Sequence, residues 1–261
     1  MAIFISKPWY AKSGGKYKGI WVPKTWQGRT SFDGNSVWTD GENIYYSVTS
    51  AQYELYDTYS YWSPKTWSGL TKFNGGDVWT DGDNIYYSSY STHYVLNKST
   101  STWSTKKWTG LTYFDGRNVW TDGDNIYYSS STNQYVLNKS TSKWSTKTWT
   151  GLTNFYGHYI WTDGTNIYSS DGSQYVLDKA RSRWSTKTWT GLTNFYGIYV
   201  WTDGTDIYYS NPATGQYVLD KSTSTWSEKT WQGLTNFNGE CIWKDSDHIY
   251  YSYSSTQYEL T

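Results

Sequence analysis

Apolar side chains along this chain come in short runs rather than long stripes. Between residues 118 and 149 the segments NVWT, NIYYS, QYVLN and KWSTKTW are rich in Val, Ile, Tyr, Trp and Thr, and clusters of Gly, Asn, Asp and Ser separate them. That alternation is the signature of strands and turns. The segments are read as four strands, named A to D. A and B are joined by DGDN, where Asp and Gly supply a tight turn and the positive φ it needs. No helical period appears along the chain.

The same unit recurs. Trp-Thr-Asp begins at Trp38, Trp79, Trp120, Trp161 and Trp201, and Trp-Lys-Asp at Trp243, at intervals of 41, 41, 41, 40 and 42 residues. A second marker, the Trp opening WSTKTW and its variants, falls at Trp21, Trp62, Trp103, Trp144, Trp184 and Trp226 with the same intervals. Four short strands repeated six times predict an all-β fold, a six-bladed β-propeller of four-stranded antiparallel blades. The expected blades are about 32–70, 73–111, 114–152, 155–192, 195–234, and 237–261 plus 21–29. The split last blade follows from the two ends: WVPKTWQG at Trp21 aligns with strand D, and QYEL, Gln257 to Leu260, aligns with strand C. Pairing of this N-terminal outer strand with the C-terminal blade is expected to close the ring and cover its open sheet edges. Residues 1–20, MAIFISKPWYAKSGGKYKGI, belong to no repeat and carry four lysines. They are expected to form an arm and are a candidate tether, with 21–261 as a single propeller domain.

The segments LNKSTSTW (Leu96 to Trp103) and LDKSTSTW (Leu219 to Trp226) carry an amide or acidic residue and Thr or Ser ahead of a Trp. In this they resemble the strand C to strand D portion of a kelch repeat, although Ser-Ser, as in YYSSYS, stands where kelch repeats have Gly-Gly. The closeness of the copies to one another also resembles recently amplified propellers of bacterial or phage origin. Two enzyme classes share the six-bladed architecture by resemblance. Galactose oxidase needs copper ligands and a Tyr–Cys link, for which this chain offers Cys241 alone. Sialidases need an arginine triad and SxDxGxTW boxes; the arginines here are Arg29, Arg117, Arg181 and Arg183, and no such box is present.

Composition narrows the function classes. Lys and Arg total 22 and so do Asp and Glu, so the chain lacks the basic balance that phosphate recognition requires, and no nucleic-acid partner is expected. No stretch has the roughly 20 apolar residues of a membrane span. The opening MAIFISKPW holds too short an apolar run for a signal peptide, with its basic residues on the wrong side. The only cysteine cannot form an internal disulfide. The 19 Trp, 29 Tyr and 7 Phe must build the core, because each ring buries about 150–250 Å².

Comparison of the copies locates the variable surface. The A–B turn barely changes from TDGEN to TDGTD, apart from the last copy, KDSDH, and the C–D turn is steady, as in NKSTS twice and DKSTS. In the D–A connection, by contrast, the two residues after the Phe-x-Gly element are Asn35-Ser36, Gly76-Asp77, Arg117-Asn118, His158-Tyr159, Ile198-Tyr199 and Glu240-Cys241. The B–C connection varies in length as well, from SDGSQ to SNPATGQ. Because strands alternate in direction, the variable loops share one rim, which is therefore expected to bind a partner. Relaxed constraint on loops would leave the same trace.

Candidate chemistry is recognition rather than turnover. His93, His158 and His248 fall in different connections of different blades, so no metal triad, cofactor or enzyme is expected. DGDN lacks the length and distal Glu of an EF-hand and reads as a turn. The expected ligand-binding residues are Tyr90, His93, Arg117, Tyr156, His158, Tyr159, Tyr196, Tyr199 and Tyr253, with exposed rings stacking on sugars or anchoring a protein. A glycan is the first expectation, and a protein partner in a larger surface or phage assembly is the alternative. Whether Tyr156 and Tyr196 are exposed or lie between blades is left open by the sequence.

Overall fold

The computed structural model describes residues 19–56, 59–245 and 247–261. They form six four-stranded antiparallel sheets arranged as a ring. Blade 1 holds Val37–Thr39, Ile44–Val48, Ala51–Tyr56 and Tyr61–Pro64; blade 2 holds Val78–Thr80, Ile85–Ser89, Thr92–Asn97 and Thr102–Thr105. Blade 3 holds Val119–Thr121, Ile126–Ser130, Asn133–Asn138 and Lys143–Thr146; blade 4 holds Ile160–Thr162, Ile167–Asp171, Ser173–Asp178 and Arg183–Thr186. Blade 5 holds Val200–Thr202, Ile207–Asn211, Gly215–Asp220 and Thr225–Glu228, and blade 6 holds Ile242–Lys244, Ile249–Tyr253, Thr256–Leu260 and Trp21–Pro23.

The closing strand pairs Trp21 with Leu260, Val22 with Glu259 and Pro23 with Tyr258. Proline is tolerated because this is an edge strand. Each outer edge is covered in the same way. The link from the preceding blade offers a carbonyl to the D-strand Trp, so that Trp62 N–H donates to Gln27 O and Trp103 N–H to Ser68 O, both at 2.9 Å. Trp21 N–H donates to Gln232 O at 2.9 Å, which makes the seam chemically equivalent to the other five interfaces.

The core lies between blades. Between blades 2 and 3, Trp79 and Tyr86 meet Trp108 and Phe114 of the link and Val119, Ile126, Tyr128, Leu137 and Trp144 of the next sheet. The three indoles lie 5.6–6.1 Å apart, and Phe114 meets Trp144 edge-on at 5.3 Å, geometries that rings prefer over face-to-face stacking. The other interfaces repeat this layer, and every tryptophan among the described residues belongs to one of them. In each layer the A-strand indole donates to a buried serine, as Trp120 Nε1 does to Ser129 Oγ at 2.8 Å. Lysine ammonium groups cover the link indoles, Lys147 lying 4.7 Å from the Trp149 ring centre.

Two details differ from the sequence reading. Strand D ends at Thr146 rather than Trp149, because the chain there leaves its own sheet: Trp149 turns into the core and Thr150 bridges to Arg183 of the next blade. Each D–A link also ends in a single 3-10 turn, such as Gly157–Tyr159, too short to leave a periodic trace. The proposed arm falls almost wholly outside the described residues.

Candidate binding site around the ring axis

Strand A is the innermost strand of each blade, so the 3-10 turns that lead into it surround the axis. Each turn touches the next around the full circle. The invariant glycine makes this approach possible: a Cβ on Gly157 would overlap the Asn118 carbonyl of the preceding turn, and one on Gly116 the Asp77 carbonyl. The two residues after the glycine are therefore brought against the neighbouring turns of the ring. Arg117 Nε donates to Asp77 Oδ1 at 3.0 Å, and His158 Nδ1 donates to Asn118 Oδ1 at 2.7 Å. The first variable residue of one turn is thus matched to the second residue of the turn before.

This matching explains the exchange of His158 for Ile198. The turn before His158 ends in Asn118, an acceptor, whereas the turn before Ile198 ends in Tyr159. Burial, aided by the Arg117 charge, pushes His158 down to about 4, so it is neutral at pH 7. Asp77 is raised by burial despite Arg117 beside it. Arg117, its side chain half exposed, feels Glu240 from the diametrically opposed turn.

The ring is polar on one side and aromatic on the other. Around the turns that begin blades 1 to 3 stand Asn35, Ser36, Asp77, Arg117 and Asn118. Around those that begin blades 4 and 5 the rings of Tyr156, His158, Tyr159 and Tyr196 form a chain, with His158 and Tyr159 centres 4.0 Å apart and Tyr159 and Tyr196 5.6 Å apart. Tyr199 continues it towards Glu240, whose charge, after burial, raises its hydroxyl. Asp171, itself raised by burial, acts with burial on Tyr159. Its backbone bridges to Tyr196, which brings a carboxyl to the edge of the aromatic group.

Tyr156 and Tyr196 are exposed, at 37% and 42%, which answers the question the sequence left open. At the same position the other four turns carry Asp or Asn, and each makes a bond. Asn74 and Asn238 accept from Gly76 N–H and Glu240 N–H; Asp33 and Asp115 accept from Ser254 N–H and Tyr90 N–H in the neighbouring B–C turns. Neither tyrosine makes a capping bond from its side chain. Two adjacent copies have given up a local stabilising contact and present rings to solvent.

The remaining expected residues lie elsewhere. Tyr90 sits on a B–C turn and Tyr253 at the end of the strand that leads into one, away from the innermost strands. These turns do share a rim with the D–A links, as Phe114 N–H donating to Tyr90 O shows. Tyr90 is exposed, adopts φ +53°, and its ring lies 5.4 Å from Tyr113, an exposed tyrosine that the comparison of copies did not single out. His93 is not on the surface: it is 6% exposed, stacks on Phe114 at 4.5 Å, and bonds Thr112 O through Nε2. It replaces the buried glutamine whose amide donates to the Phe carbonyl in the other copies, as Gln134 does to Phe155 O. A conformational role in the core accounts for it, so it is corrected from a rim residue to a packing residue.

At the other rim the A–B turn carboxylates are engaged by the turn itself. Asp122 Oδ1 accepts from Asp124 N–H and Asn125 N–H, and its Oδ2 from the Tyr127 hydroxyl at 3.0 Å. Among the described residues no three His, Cys, Asp or Glu side chains group as metal ligands.

No family model matches the chain, and no curated protein matches it. Among solved structures it is similar to one described as the extracellular domain of a one component system of B. thetaiotaomicron, with 15% identity and TM-score 0.52, covering 85% of this chain and 31% of that one. It is also similar to the extracellular domain of a hybrid two component system of the same organism, with 12% identity and TM-score 0.52, covering 86% and 33%. The chain spans about a third of the length of these structures, and at such identities the likeness is one of fold: the chain is a six-bladed β-propeller.

Proposed function

We propose that this propeller is a non-catalytic recognition module that holds a glycan against the aromatic side of its axial rim. The observation that carries the reading is the replacement of a hydrogen-bonded Asp or Asn by exposed Tyr156 and Tyr196 in adjacent copies. Tyrosine faces stack on the C–H faces of sugar rings. Asp171 bridges to Tyr196, while Glu240 acts on Tyr199 and Arg117 on His158 of the same group; these charges can pair with hydroxyls, charge-assisted bonds being the stronger kind. That the solved structures similar in fold are extracellular domains of one and two component systems supports binding over turnover.

The test is a glycan array probed with the wild type and with Tyr159→Ala and Tyr199→Ala. Reproducible binding to a defined glycan, weakened at least tenfold in both variants, is expected. Absence of glycan binding, together with release of a co-purifying protein on removal of residues 1–18, would replace the glycan by a protein partner.

A further inference from the structure

Two carboxylates border the aromatic side of the axial rim, and each is the departure of a single copy. Asp171 ends strand B of blade 4, where the other copies have Val48, Ser89, Ser130, Asn211 and Tyr253. Glu240 follows the axial glycine of blade 6, where the others have Asn35, Gly76, Arg117, His158 and Ile198. The backbone of Asp171 bridges to Tyr196, and the residue is exposed. Among the described residues its carboxylate has no hydrogen-bond or salt-bridge partner. Glu240 belongs to the turn that touches the one holding Tyr199. The field of both reaches the rings: after burial, Asp171 raises the Tyr159 hydroxyl and Glu240 the Tyr199 hydroxyl.

The surface between the carboxylates is one of acceptors. Tyr156, Tyr159, Tyr196 and Tyr199 offer ring faces, whose quadrupole attracts cations. His158 is neutral at pH 7 and donates its one ring proton from Nδ1 to Asn118, which leaves Nε2 a lone-pair acceptor. The six axial turns hold one cation, Arg117, and Asp77 engages it at 3.0 Å. Arg117 acts on His158, whereas Asp171 adjoins Tyr196. Resting on the glycan reading of this rim, we propose that the saccharide it takes is an amino sugar with a free amine, whose ammonium lies on the tyrosine faces and pairs with Asp171. An ammonium brings three donors to a surface rich in acceptors. Its bond to a carboxylate is stronger than one between neutral groups, and its attraction to tyrosine faces acts within about 6 Å. An N-acetylated sugar lacks that charge, and an acidic sugar would set a third carboxylate beside Asp171 and Glu240.

The experiment is calorimetric titration at about pH 6, where a free amine is protonated and His158 is still neutral. The probes are the hexamers of glucosamine, N-acetylglucosamine and glucose in one and the same linkage, and hexagalacturonate. The proteins are the wild type, Tyr156→Asn/Tyr196→Asn, and Asp171→Asn. The last keeps the shape of the side chain and places in blade 4 the residue that blade 5 carries as Asn211; urea denaturation checks its fold. The glucosamine hexamer is expected to bind the wild type about tenfold or more tightly than the other three, and to lose about tenfold or more in both variants. Equal or tighter binding of a neutral or acidic hexamer overturns the proposal and leaves the glycan reading standing, as does a glucosamine preference that Asp171→Asn retains. Binding of none of the four also overturns it, and a silent glycan array would remove the glycan reading as well.

Discussion

His158 and Ile198 occupy one position in two nearly identical copies, and the residue each meets decides which side chain fits. His158 is neutral in the fold while the same group in an unfolded chain takes a proton near pH 6.5. Its contribution to stability is therefore present above pH 6.5 and lost as the pH falls towards 4, by no more than about 3 kcal/mol. Urea denaturation at several pH values should show this loss in the wild type, and His158→Ile should flatten the dependence across that window. Ser129 gives a second prediction at this scale. Its hydroxyl accepts from the buried Trp120 indole, so Ser129→Ala leaves a donor unsatisfied and should cost about 1–3 kcal/mol. The sequence showed that position 158 varies but not that its partner sits 40 residues earlier, because the pairing runs between turns around the axis. It also placed His93 on the surface. Only the glutamine found at that position in every other copy signalled a buried role.

At the scale of the element, strands, turns and blade number were legible because aromatic residues recur in strict register. Each blade is small and depends on its neighbours for burial, so the Trp spacing records the inter-blade layers directly. The seam was legible for the same reason: Trp21 occupies its layer as Trp103 does. Trp21→Ala and Trp103→Ala should each cost about 3–5 kcal/mol in urea denaturation. A much smaller loss for Trp21 would mean that the ring is not fastened there. The 3-10 turns escaped detection because three residues set no period.

Across the whole molecule, a ring of near-identical blades carries most of its asymmetry in its loops, with the buried His93 as an exception inside a sheet. The sequence placed the variable loops on one rim. It could not show that the D–A turns meet around the axis, nor that the ring divides into polar and aromatic sides. That division brings Tyr156, His158, Tyr159, Tyr196 and Tyr199 together and leaves Tyr90 and Tyr253 on the periphery. Asp or Asn at 156 and 196 would bond the backbone, so under the proposed function the tyrosines there exist to bind. The most direct measurement is titration of the glycan found on the array into Tyr156→Asn/Tyr196→Asn, with urea denaturation of the same protein. The predicted result is binding weakened at least tenfold in a variant stabilised by about 0.5–1 kcal/mol through restored caps. Unchanged affinity, or a loss of affinity that merely tracks a loss of stability, would contradict it.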